Sequence, residues 1–152
     1  MNEANIFLVI GGVLSVSAAL LHIVIIFGGA NWYRFFGAGE KMATLSEQGS
    51  WYPALVTFVV ATVLFIWGLY AFSGSGLILA LPFLKYVLVT ISAVYLLRGL
   101  VLIPGLLFIP DKVDSFAFWS SIVSFVFGLF YAIGTYQEWS KLFNKSVLII
   151  TS

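Results

Sequence analysis

Four apolar runs govern what this chain can fold into: Ile6 to Phe27, Trp51 to Phe72, Leu77 to Ile103 and Phe116 to Tyr136. A helix needs about 20 apolar residues to cross about 30 Å of hydrocarbon, and each run reaches that length. In lipid every backbone N–H and C=O must be satisfied within the protein, which leaves only helices and closed barrels. Barrel strands alternate apolar and polar residues over about ten positions, whereas these runs are unbroken. The expected fold class is therefore all-α: a polytopic membrane protein built as a four-transmembrane-helix, up-down-up-down bundle. We expect one domain over residues 1–152.

Composition supports the same solvent. The chain is 62% hydrophobic and 9% charged, against about 25% charged residues in an ordinary soluble domain. The first run resembles a secretory leader only superficially, because "MNEAN" carries no cation and the run exceeds the usual apolar core of about 7 to 15 residues. It reads as a retained helix. Cysteine is absent and histidine occurs once, so thiolate chemistry is excluded and a metal or haem site lacks ligands. No cofactor is expected. The seven cations are scattered, which gives no nucleic-acid footprint.

The connections differ in length. "SGSG", Ser73 to Gly76, reads as a tight turn that makes its flanking helices antiparallel neighbours. The stretch from Pro104 to Ser115 reads as an exposed corner, with Ser115 as N-cap of the last helix. The first connection, residues 28–50, is long enough to need structure or a task of its own. Asn31 is placed to cap a short helix through "WYRFFGAGEKMATL", whose aromatic rings suit the headgroup layer. It is either an anchor or a lid.

Small residues show where membrane helices approach one another, since lipid is as apolar as leucine. Ser120, Ser124, Gly128 and Ala132 recur every four residues, and Gly11, Ser15 and Ala19 share that spacing. These two stripes are expected to meet. A faint repeat, "SAALLHIVIIFGG" against "SAVYLLRGLVLIPG", aligns His22 with Arg98 and raises the possibility of a duplicated hairpin.

His22 and Arg98 are the ionisable groups deepest in the runs. Each lies five residues before its run's end, about 7 to 9 Å below one membrane face at 1.5 Å per residue. No acid lies in any run, so a carboxylate for Arg98 must come from a loop: Glu40, Glu47, Asp111 or Asp114. Lys85 lies near the other face, where its stem reaches headgroups. The candidate ligand-binding residues are His22, Arg98, Tyr95, Ser120, Ser121, Tyr52 and Thr57, with Trp32, Arg34 and Glu40 above them in the first loop. Arginine suits phosphate and carboxylate because its planar fork donates in pairs. Tyr95, three residues before Arg98, is expected on a similar helix face.

No nucleophile with base and orienting acid, phosphate-binding glycine loop, HExxH or paired carboxylate within a span occurs. The leading expectation is a small integral protein, of the general look of bacterial inner-membrane four-helix proteins with cytoplasmic termini. It would bind or pass an amphipathic molecule or membrane lipid in an outer-leaflet pocket. The alternatives are an accessory subunit that docks on a larger membrane partner or on itself, and an interfacial enzyme acting on lipid or quinone. The missing intramembrane carboxylate weighs against proton-coupled pumping.

Overall fold

The computed structural model describes residues 4–110, 113 and 115–142, whose regular structure is helical and without strands. Among the described residues these helices follow in order: α1 (Ile6–Phe35), α2 (Glu40–Glu47), α3 (Tyr52–Ser75), α4 (Leu84–Leu100), α5 (Leu102–Phe108) and α6 (Ser115–Gln137), and residues 139–142 are helical as well. Among the described residues four helical stretches are long and apolar enough to cross a membrane: Ile6–Phe35, Tyr52–Ser75, Leu84–Phe108 and Ser115–Gln137. The protein is thus an all-helical integral membrane protein by length and composition.

Three boundaries differ from the sequence expectation, each for a local reason. First, α1 does not end at Phe27. Gly29 takes φ 64°, ψ −152°, a conformation open only to glycine, so the helix bends there and resumes to Phe35. Asn31 consequently lies inside α1 rather than capping a new helix, and the short helix of the first connection starts at Glu40. Second, "SGSG" is mostly the last turn of α3, closed by Gly76 at φ 88°. The run expected from Leu77 becomes helical only at Leu84, because Pro82 disfavours helical geometry in the residue before it. Ser73 fixes this connector: its hydroxyl donates to the Leu79 carbonyl and accepts from the Leu81 N–H, both at 2.9 Å. Third, much of the expected corner is helix α5. Pro104 supplies no N–H for the preceding turn, which separates α5 from α4, yet Val101 between them keeps helical angles (φ −58°, ψ −22°).

The chain divides into two compact units, Met1–Leu14 with Trp67–Ser152, and Ser15–Ile66. In the first, α4 packs along α6. The approach is close enough to require glycine on both helices. A methyl added at Gly128 would meet the Leu96 backbone nitrogen at 2.8 Å, and one at Gly99 would meet the Phe125 Cα at 2.8 Å. The core beside this seam is aromatic. Tyr95, 6% exposed, meets Trp67 and Phe127 edge-on at 5.0 and 5.4 Å and Tyr131 at 5.6 Å. Tyr131 is wholly buried and donates its hydroxyl proton to the Trp67 carbonyl at 3.0 Å.

The start of α1 joins this unit through Asn5. Its side-chain oxygen accepts the Leu8 N–H at 3.1 Å, an N-cap bond, while its amide donates to Gln137 at 2.9 Å and Glu138 at 3.4 Å. Its backbone N–H reaches the Ser75 carbonyl at 3.2 Å. The expected stripe-to-stripe seam is corrected here. Gly128 is taken up by Leu96 of α4, whereas α1 meets α6 where Gly11 faces Tyr131 and Leu8 faces Gly134. Spacing identified faces that pack closely without identifying their partners.

The second unit has a smaller core. Ile25 and Tyr33 of α1 and Ala43 of α2 form its buried cluster, with Ala30 and Phe36 packed on it. The bend at Gly29 is what lets residues on both sides of it share one cluster with α2.

Candidate functional site

The ten candidate residues fall in both units. His22, Trp32, Arg34, Glu40, Tyr52 and Thr57 belong to the unit Ser15–Ile66; Tyr95, Arg98, Ser120 and Ser121 belong to the other.

Within Ser15–Ile66 the most developed polar arrangement is an ion cluster. The Arg34 Nε donates to both Glu40 carboxylate oxygens at 3.1 and 2.9 Å, one terminal nitrogen adds a 2.6 Å bond to Glu40, and the other reaches Glu47 at 2.6 Å. Glu40 and Glu47, considered above as counter-charges for Arg98, are both taken by Arg34. Hydrogen bonding to that guanidinium holds each carboxyl below the usual range. These side chains are exposed, so solvent screens the cluster; its geometry fastens α2 to the end of α1 rather than presenting an empty anion site. Tyr33, 2% exposed, packs beneath and lies 3.5 Å from the Thr57 hydroxyl. Tyr33 is not among the candidates legible from sequence, although its position beside Arg34 in a polar-aromatic run was the available signal.

His22 is half-buried and bonds through Nδ1 to the Ala18 carbonyl at 2.7 Å. One ring nitrogen is thereby satisfied within its own helix turn. Thr57 does the same with the Pro53 carbonyl at 2.8 Å. Tyr52 is exposed. Trp32 packs on Phe36 with centroids 5.8 Å apart, which builds it into the bent end of α1.

Beside these groups lies an open groove of about 200 Å³ between α1 and α3. Ala19, Leu20 and Ile23 form one wall; Phe58, Ala61, Thr62 and Phe65 form the other. Its one polar side chain, Thr62, bonds back to the Phe58 carbonyl at 2.9 Å. Leu20 is 61% exposed and Phe58 55%. Both walls belong to helices long and apolar enough to cross a membrane. Ala19 was marked from sequence only as part of a packing stripe, because aliphatic residues of a span look alike whether they line a groove or face tails.

In the other unit, Tyr95 and Arg98 sit three positions apart on α4, on a similar face, but differ in burial. Tyr95 is drawn into the aromatic core described above, whereas Arg98, about 60° further round the helix by its 3.6-residue turn, is exposed. The hydroxyls of Ser120 and Ser124 bond to carbonyls of α6 itself, Ala117 at 3.3 Å and Ser120 at 2.8 Å; Ser121 is half-buried. Asp111 and Asp114 lie outside the described residues. Among the described residues Arg98 has no ion pair, although a charged arginine at mid-membrane is unfavourable by about 2.5 to 3.5 kcal/mol on insertion scales.

At the opposite end of α4, the Lys85 ammonium sits 3.9 Å from the centre of the Trp139 ring. Glu138 and Lys141 form an ion pair at 3.0 Å nearby in sequence. Asn5, Tyr131 and this Lys85–Trp139 contact were not combined by the sequence reading, since all three depend on residues distant along the chain.

No family model, curated protein or solved structure matches this chain.

Proposed function

We propose that this protein binds an amphipathic membrane molecule, holding its apolar tail in the groove between α1 and α3. The single observation that supports this reading is the groove itself: a concavity of about 200 Å³ whose one hydroxyl is internally satisfied. A surface of this kind in a membrane span offers nothing to an ion or sugar, and an acyl chain is the matching occupant. On α3 the groove begins at Phe58, about 9 Å beyond the helix start at Tyr52 at 1.5 Å per residue, so an occupant would lie within the span rather than at the level of the Arg34 cluster.

The setting for this role is a bacterial inner membrane with both termini in the cytoplasm, consistent with four crossings. An accessory-subunit role asks for a lipid-facing stripe of small residues left over after packing. On α6 the large exposed positions run from Trp119 to Tyr136: Trp119, Ile122, Val123, Val126, Leu129, Ile133 and Tyr136. Enzymatic action would need a nucleophile or acid–base pair, and none of the groove residues supplies one.

The test fills the groove from its exposed rim. Thr62→Phe should leave the thermal melt in detergent within a few degrees of wild type while lowering the co-purified phospholipid counted by native mass spectrometry by one lipid per protein. Unchanged lipid retention by a folded Thr62→Phe protein rejects the groove as the binding site.

A further inference from the structure

Lys85 and Arg98 lie on one helix and together define a depth. Lys85, over the Trp139 ring and with the Glu138–Lys141 pair beside that ring in sequence, has the amphipathic aromatic and charged surroundings of a headgroup layer. Arg98 is thirteen residues further along α4, about 20 Å at 1.5 Å per residue. In hydrocarbon about 30 Å thick, its Cα stands about 10 Å short of the opposite boundary, within the range where long cationic side chains snorkel.

The face carrying it is equally informative. Val94, Leu97 and Val101, one turn to either side of Arg98 or next to it, are all exposed and all large. Glycine on α4 is spent elsewhere: Gly99 is buried against Phe125 of α6. A helix from another protein would need small residues here to approach the backbone, whereas branched side chains of this size suit lipid tails. The chain's described carboxylates are also committed, Glu40 and Glu47 to Arg34 and Glu138 to Lys141.

We propose that Arg98 is an anionic-phospholipid site, in which the exposed guanidinium binds a lipid phosphate while the tails lie along Val94, Leu97 and Val101. The planar fork donates two parallel bonds to phosphate oxygens, which an ammonium cannot reproduce. Selectivity for net-anionic lipid follows from charge: phosphatidylglycerol leaves one negative charge to meet the arginine, whereas the choline of phosphatidylcholine cancels it. This site is separate from the α1–α3 groove, and either can fail without the other.

The experiment uses the full chain in nanodiscs of phosphatidylcholine containing increasing phosphatidylglycerol, with bound lipid counted by native mass spectrometry after mild detergent release. Wild type should retain phosphatidylglycerol at least fivefold over phosphatidylcholine; Arg98→Gln should lose that preference, and Arg98→Lys should keep only part of it. Thr62→Phe should leave the preference intact, which separates this site from the groove. Millimolar inorganic phosphate should not displace the lipid; displacement would identify a water-exposed phosphate site and overturn the lipid assignment. An unchanged preference in folded Arg98→Gln overturns it too, as does a variant whose only change is loss of a co-purifying membrane protein.

Discussion

The two units solve the problem of holding helices together in lipid by different means. In the unit containing α4 and α6, backbones approach so closely that Gly99 and Gly128 leave no space for a methyl group, and aromatic rings fill the remaining volume around Tyr95. In Ser15–Ile66 the buried cluster is only Ile25, Tyr33 and Ala43, and order comes from a glycine bend and an exposed ion cluster. The first arrangement is insensitive to water and pH because its contacts are apolar and short. The second depends on charges that sit where water reaches them. Tight packing and polar fastening thus divide the molecule, and the groove proposed for a lipid tail belongs to the more loosely filled part.

The contrast predicts unequal damage. Gly128→Leu should be the most harmful change, because the first added carbon would meet the Leu96 backbone nitrogen at 2.8 Å and only helix separation relieves it. Overpacking of this kind costs about 1–3 kcal/mol, more where backbone must move. A detergent melt should show a loss of many degrees; a near-native melt would mean the α4–α6 seam is looser than described. Gly29→Ala should cost about 1–3 kcal/mol, the strain of a side chain in a φ/ψ region reserved for glycine, with no added clash since no neighbour lies within 4 Å. Its effect should stay local: faster hydrogen exchange in α2 and a shifted Trp32 emission, with exchange in α4 and α6 unchanged.

Acid should give the smallest effect. Arg34 holds Glu40 and Glu47 below the usual carboxyl range; their contribution is therefore whole above the unfolded value of about 4.3 and is lost as pH falls through the lowered folded values. Protection of α2 amides, taken relative to the intrinsic exchange rate at each pH, should fall below about pH 4 and be flat from about pH 6 to 8, with α6 indifferent throughout. A response centred at neutral pH would implicate another group.

How much of this was legible beforehand follows from what each feature depends on. The four spans could be read because length and apolar content alone decide them. The bend at Gly29 could not, because Gly28–Gly29 after an apolar run reads equally as a helix end, and only the resumed helix reveals a bend. Partner choice was hidden for a different reason. A helix that is apolar all round has no polar face to mark its outside, so the small residues of α6 announced a seam without saying that Leu96 would occupy it. At the candidate site, Arg34 and Glu40 do come together, but as a saturated pair. Arg98 and Tyr95 sit on a similar face but differ in burial, because the aromatic core claims one of them.

The bonds of Asn5 carry an implication for biosynthesis. Ser15–Ile66 is contiguous, so every residue it needs has left the ribosome once Ile66 has. The residue that caps α1, Asn5, also donates its side-chain amide to Gln137 and Glu138 and its backbone N–H to Ser75, and translation runs from the N-terminus. The first helix can therefore close its leading turn at once, through Asn5 and Leu8, while its tie to Gln137 and Glu138 waits until the last helix has been made.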